Sequence, residues 1–247
     1  DLTGIRILEL VYHIILKLLV YLRWSMLKRK VYSKLMDWKQ KDSGKTALLI
    51  EGARRVGKST IVEEFAKNEY ESYILIDFAF APEEIHELFK NINDLDYFFM
   101  RLQLFYGVNL ERKKSLIIFD EVQFSPLARQ AIKKLVEDGR YDYIETGSLI
   151  SINKNVKDIL IPSEERKIDM YPMDFEEFLW ALGDEATFDI LREFYNKKQP
   201  LGEKLNREVM RKFRLYLLIG GMPQAILEYL ASNNLQQVDQ VKRNIID

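Results

Sequence analysis

The chain has 247 residues, 47% of them hydrophobic and 30% charged, with a formal net charge of −1. That balance describes a folded protein with a sizeable core, and it excludes a global field drawing the chain to nucleic acid or acidic membrane. Cysteine is absent and the histidines are His13 and His86 alone, which excludes disulfides, thiolate metal sites and a cysteine nucleophile and argues against a histidine metal site.

The first predicted element is the hydrophobic run IRILELVYHIILKLLVYL over residues 5–22. Its length falls slightly short of the roughly 20 residues that cross a bilayer. Glu9, His13 and Lys17 recur at steps of four, one narrow polar stripe on a helix. Its aliphatic residues favour insertion by about 4 to 7 kcal/mol, and Glu9 and Lys17 oppose it by about 2.5 to 3.5 kcal/mol each. The balance is near zero. Three readings follow: an amphipathic helix packing on a partner or on this domain, a non-native extension ahead of a start at Met26, or a membrane helix. We expect no membrane association and a cytoplasmic protein. The chain opens on Asp1 and stops within VKRNIID, which reads as mid-helix, so truncation at both ends is expected.

Residues 26–45 read as a basic amphipathic helix, with Leu27, Val31, Leu35 and Trp38 at helical spacing. From Arg23 to Lys45 the chain carries eight basic residues against Asp37 and Asp42. That face is either a nucleic-acid or phospholipid contact or a solvated surface.

The short aliphatic run TALLIEG (46–52) predicts a buried parallel strand. It leads into Gly52-Ala53-Arg54-Arg55-Val56-Gly57-Lys58-Ser59, then Thr60 and a helical pattern. Strand, G-x-x-x-x-G-K-[ST] and helix together form the P-loop signature. Its main-chain N–H groups cradle phosphates, Lys58 reaches the β- and γ-phosphates, and the Ser59 hydroxyl coordinates Mg²⁺. Because the main chain makes the cradle, Arg54 and Arg55 need not touch phosphate. They either reach a neighbouring subunit, an acidic patch or nucleic acid, or form a solvated tip.

A strand at YILIDF (73–78) and helices over 82–105 precede a second aliphatic strand, KSLIIFDEVQ, which ends in Asp120 and Glu121. Asp120 suits the Mg²⁺ ion and Glu121 the general base for an attacking water. Ser125, Pro126 and Gly139 punctuate the next helix as cap, first turn and stop. YDYIETGSLI then gives a fourth strand tipped by Thr146 and Ser148, either of which could contact the γ-phosphate or the water, or simply end a strand.

This order of motifs resembles the AAA+ branch of the P-loop NTPases. More narrowly, it is similar to a prokaryotic "ATP-binding protein / AAA family ATPase" group, on EGARRVGKST, IIFDEVQFSP, DGRYDYIETGSLI, MYPMDFEEFL and GGMP. The resemblance covers residues 26–247. It implies an Mg-dependent ATPase with ATP and Mg²⁺ as cofactors. Gly52–Ser59 would be its Walker A, Asp120 and Glu121 its Walker B pair, and Ser148, or else Thr146, its sensor 1. It further implies an arginine finger, for which Arg166 is the candidate. It implies Pro223 in a Gly-x-Pro element closing over adenine, self-association, and a C-terminal effector domain beyond Asp247. The choice of ATP over GTP rests on the resemblance.

The expected fold is therefore α/β: a five-stranded parallel core over 46–171, then an all-helical lid over 172–247 in which Asp174 and Glu177 have capping-box spacing. A slowly hydrolysing switch or scaffold is the alternative function, with a small-molecule kinase third.

Overall fold

The computed structural model describes residues 27–90, 92–148 and 165–246. The expectations for residues 1–26 lie outside them. The described residues form two compact units, Val31–Tyr171 and a second made of residues through Lys30 with those from Pro172 onward.

In the first unit, helix α1 (Lys30–Asp42) leads to β1 (Ala47–Gly52), α2 (Lys58–Glu69), β2 (Ser72–Asp77), α3 (Glu83–Lys90) and α4 (Leu95–Tyr106). Then come β3 (Ser115–Asp120), a 3₁₀ turn (Val122–Phe124), α5 (Pro126–Asp138), β4 (Asp142–Ser148) and β5 (Glu165–Met170). The strands make one sheet in the order β2-β3-β4-β1-β5, parallel throughout. The aliphatic runs of β1 and β3 are buried at every position, as the inner strands of a parallel sheet must be. Edge strand β5 instead alternates charged and buried residues, which blunts its open side.

Register brings the C-terminal ends of the strands level: Gly52 pairs with Ser148 and with Met170, and Asp77 pairs with Asp120. An aromatic cluster packs beneath, with Phe119 against Phe78 and Phe89, and Phe99 against Tyr141. Burying each such ring contributes about 1.5–3 kcal/mol. The α1 face expected at Val31, Leu35 and Trp38 is buried. Gly139 ends α5 in the left-handed conformation, whereas Ser125 holds the N-cap position without a side-chain capping bond.

The second unit is helical: α6 (Phe175–Ala181), α7 (Thr187–Asn196), α8 (Glu203–Ile219), α9 (Pro223–Ser232) and α10 (Leu235–Ile246). Asp174 and Glu177 form both bonds of a capping box at α6. Glu177 also accepts from the Lys30 backbone N–H and from Arg29. Gly220 closes α8 at positive φ. Gly221 meets the Met173 backbone so closely that a Cβ there would lie 2.2 Å from its carbonyl oxygen. Pro223 opens α9. Met173, Phe178, Ile219 and Ile226 form this unit's core.

Candidate active site

The turn from β1 into α2 is built by backbone conformations few residues adopt. Gly57 has φ 93° and Arg55 φ 65°, both in the left-handed region that is open to glycine and costly elsewhere. Gly52 answers a different demand, since a Cβ there would lie 2.2 Å from the Met170 carbonyl oxygen. Val56 is buried as the turn's anchor, and Arg54 and Arg55 are exposed at its tip beside Ala53. The N-cap of α2 is Gly57, which has no side chain to cap it. The N–H groups of its first turn, from Lys58 through Ser59 to Thr60, stand at the helix's positive end.

Lys58 is 5% exposed and donates from Nζ to the carbonyls of Gly52, at 3.1 Å, and Ala53, at 2.9 Å. Burial lowers its pKa below the ordinary lysine value, and nearby Arg54 acts in the same direction, against the pull of Glu121 and Asp120. The lysine thus rests on the loop's own carbonyls, within the field of two acids.

Asp120 is the hub. Its Oδ1 accepts from Ser59 Oγ at 2.8 Å and from Thr146 Oγ1. A serine hydroxyl and a carboxylate are hard oxygen donors of the kind Mg²⁺ takes alongside phosphate oxygens. With the helix N-terminus on one side and a lysine on the other, these residues fit a magnesium-bound polyphosphate. Thr146 also accepts the Glu121 N–H at 3.4 Å. Of the two strand-tip hydroxyls, Thr146 is the one bonded to the acidic pair, while Ser148 lies buried opposite Gly52.

Glu121 has φ 52° and ψ 46°, a conformation that non-glycine residues adopt at a cost. Its carboxylate Oε2 accepts from Gln123 Nε2. Gln123 is 2% exposed, and its Oε1 has no hydrogen-bond partner among the described residues; a buried acceptor left so costs about 1–3 kcal/mol. Asp77, level with Asp120, accepts the Ala79 N–H at 2.9 Å. Burial and the charges of Asp120 and Glu121 nevertheless push its carboxyl up. Neither Gln123 nor Asp77 was expected. The only signals were a glutamine closing DEVQ and an aspartate ending a strand.

Arg166 stands apart from these residues within its unit. Arg166 faces Leu48 near the start of β5, away from the Gly52–Met170 end. It donates to Asp42 at 2.7 Å and to Asp37 at 3.0 Å, tying α1 to the sheet. Both bonds lie within its own unit, whereas a finger acts on the nucleotide of a neighbouring copy. Pro223 belongs to the second unit.

A model of the AAA domain matches residues 44–179, more than half of the chain. The chain belongs to the AAA domain family. It is in the broad sense a nucleotide-binding P-loop protein of the AAA+ kind. This AAA protein is 23% identical over 212 residues to an uncharacterised protein of Methanocaldococcus jannaschii, covering 82% of this chain and 42% of that one. It is 25% identical over 185 residues to an uncharacterised protein of Haemophilus influenzae, covering 72% and 44%. The chain thus spans less than half the length of these relatives. Among solved structures, Aeropyrum pernix Orc1 in complex with DNA matches with a TM-score of 0.44 and 12% identity, over 90% of this chain and 64% of that one. Among the described residues, no helix is long and apolar enough to cross a membrane.

Proposed function

We propose that this AAA protein is an Mg-dependent ATP hydrolase that turns hydrolysis into a conformational change of a partner domain or substrate. One observation carries the reading: the P-loop Ser59 hydroxyl and the strand-tip Asp120 carboxylate meet at 2.8 Å, with Glu121 as the next residue. N–H groups of the loop and of α2 bind the phosphates, and Lys58 leaves the Gly52 and Ala53 carbonyls for phosphate oxygens. Ser59 and Asp120 would hold the magnesium ion, which would neutralise charge on the phosphate oxygens. Glu121 orients the attacking water and takes its proton as the water oxygen bonds to phosphorus and the bond to the bridging oxygen breaks. The products are ADP and phosphate. Thr146 holds Asp120 and the Glu121 backbone in place.

Under this proposal ATP is the nucleotide, copies of the chain associate through the AAA domain, and the partner domain belongs to the remainder of a longer protein. Glu121→Gln is the test. We expect it to keep Mg-ATP affinity and lose turnover by about 10²- to 10⁴-fold, the usual contribution of a general base. Undiminished turnover would remove Glu121 from the role and leave a slowly hydrolysing switch.

A further inference from the structure

We propose that Gln123 is the positioning residue for Glu121: its carboxamide sets the direction of the carboxylate that receives the water's proton. The inference rests on the hydrolase reading above and adds a residue to it.

The geometry carries it in three steps. A carboxylate only accepts hydrogen bonds, so the Gln123 amide must turn Nε2 toward Glu121 and Oε1 away. That is the arrangement observed, and Oε1 pays for it by standing buried with no partner among the described residues. An apolar side chain of similar volume would fill the same space with no orphaned acceptor. For stability alone, then, glutamine is the poorer choice at position 123. Its polar end serves the residue it touches.

The mounting is rigid. Gln123 lies in the 3₁₀ turn Val122–Phe124, closed by Phe124 N–H to the Glu121 carbonyl and Ser125 N–H to the Val122 carbonyl, each at 3.0 Å. Val122 anchors that turn in the core at 0% exposure. Glu121 is therefore gripped twice, at its backbone N–H by Thr146 and at its carboxylate by Gln123. Without the second grip the side chain keeps its backbone position but loses its aim, and a base misplaced by about 1 Å costs on the order of a hundredfold in rate.

Gln123→Met in the 247-residue chain separates this role from a structural one. We expect kcat for Mg-ATP to fall about 10- to 100-fold, with KM within about threefold and the melting temperature unchanged or raised. In the Glu121→Gln background the same change should cost no further turnover in single-turnover assays, because the group it aims is gone. Gln123→Asn keeps the amide but shortens its reach, so it should also lose kcat, and it serves if the methionine variant does not fold.

Full kcat in a folded variant, or a loss that multiplies with Glu121→Gln, overturns the assignment. So does a lowered melting temperature with a raised KM at normal kcat. Activity in the parent that is lost in Glu121→Gln but kept in Gln123→Met refutes Gln123 alone. A parent chain with no turnover refutes the hydrolase reading and this inference with it.

Discussion

Ser59 on α2 and Asp120 on β3 lie 61 residues apart in sequence, yet their side-chain oxygens are joined by a 2.8 Å hydrogen bond. That bond ties the phosphate-binding turn to the acidic strand tip. Under the hydrolase reading these are the two oxygens that would hold the magnesium ion. Asp120→Asn keeps the shape and removes the charge. We expect it to weaken Mg-ATP binding by at least about tenfold, or 1.4 kcal/mol, while leaving magnesium-free ATP binding near its parent value. Calorimetry with and without magnesium reads both, and an unchanged magnesium dependence contradicts the assignment.

The exposed pair at the turn's tip yields a contrasting expectation. Arg54 and Arg55 are exposed, and under the hydrolase reading the loop's N–H groups and Lys58 do the binding. Replacing both with alanine should change Mg-ATP affinity by no more than about threefold, less than 1 kcal/mol. A loss of a hundredfold by the same calorimetry would put at least one guanidinium on the phosphates.

What could be read from sequence was what is local. The P-loop is a contiguous strand, turn and helix, so its residue types and spacing suffice, as they do for the Asp174–Glu177 capping box. The buried strands announce themselves as aliphatic runs. Partnerships between distant segments leave no such trace. Arg166 reads as an arginine before a strand until its partners Asp37 and Asp42 are seen across 129 and 124 residues. Thr146 and Ser148 are equivalent hydroxyls in a string, and register alone sets Thr146 against Asp120. Gly52 looks like a phosphate-loop glycine, yet the demand on it comes from β5, more than a hundred residues on.

That close approach is itself testable. In Gly52→Ala the new methyl would meet the Met170 carbonyl at 2.2 Å, and both atoms belong to the β1–β5 ladder, so neither yields cheaply. Overpacking of this kind costs about 1–3 kcal/mol. Urea unfolding should show a lower midpoint with an unchanged slope. A midpoint equal to the parent's would mean that β5 shifts freely.

The buried ionic cluster behind the sheet makes the sharpest pH prediction. Arg129 is enclosed with Glu145 and Glu165, its Nη1 3.5 Å from one carboxylate and its Nη2 2.9 Å from the other. One guanidinium faces two buried acids. Burial drives the Glu145 carboxyl well above its ordinary value, against the pull of Arg129 and with the help of Glu165, and Glu165 is raised for the same first reason. A carboxyl raised in the folded state holds a proton that the unfolded chain has released. The native form therefore binds more protons, and stability falls as pH rises above about 4.5. Glu145→Gln mimics the protonated form and should flatten that decline, leaving the protein at least as stable at pH 8. Arg129→Met removes the guanidinium that both acids face and should cost about 3–5 kcal/mol near neutral pH, with part recovered toward pH 5 as the acids take up protons. Urea unfolding of both variants at pH 5 and pH 8 reads these signs directly. An Arg129→Met variant more stable at pH 8 than at pH 5 would show that the two glutamates are not strained by their burial.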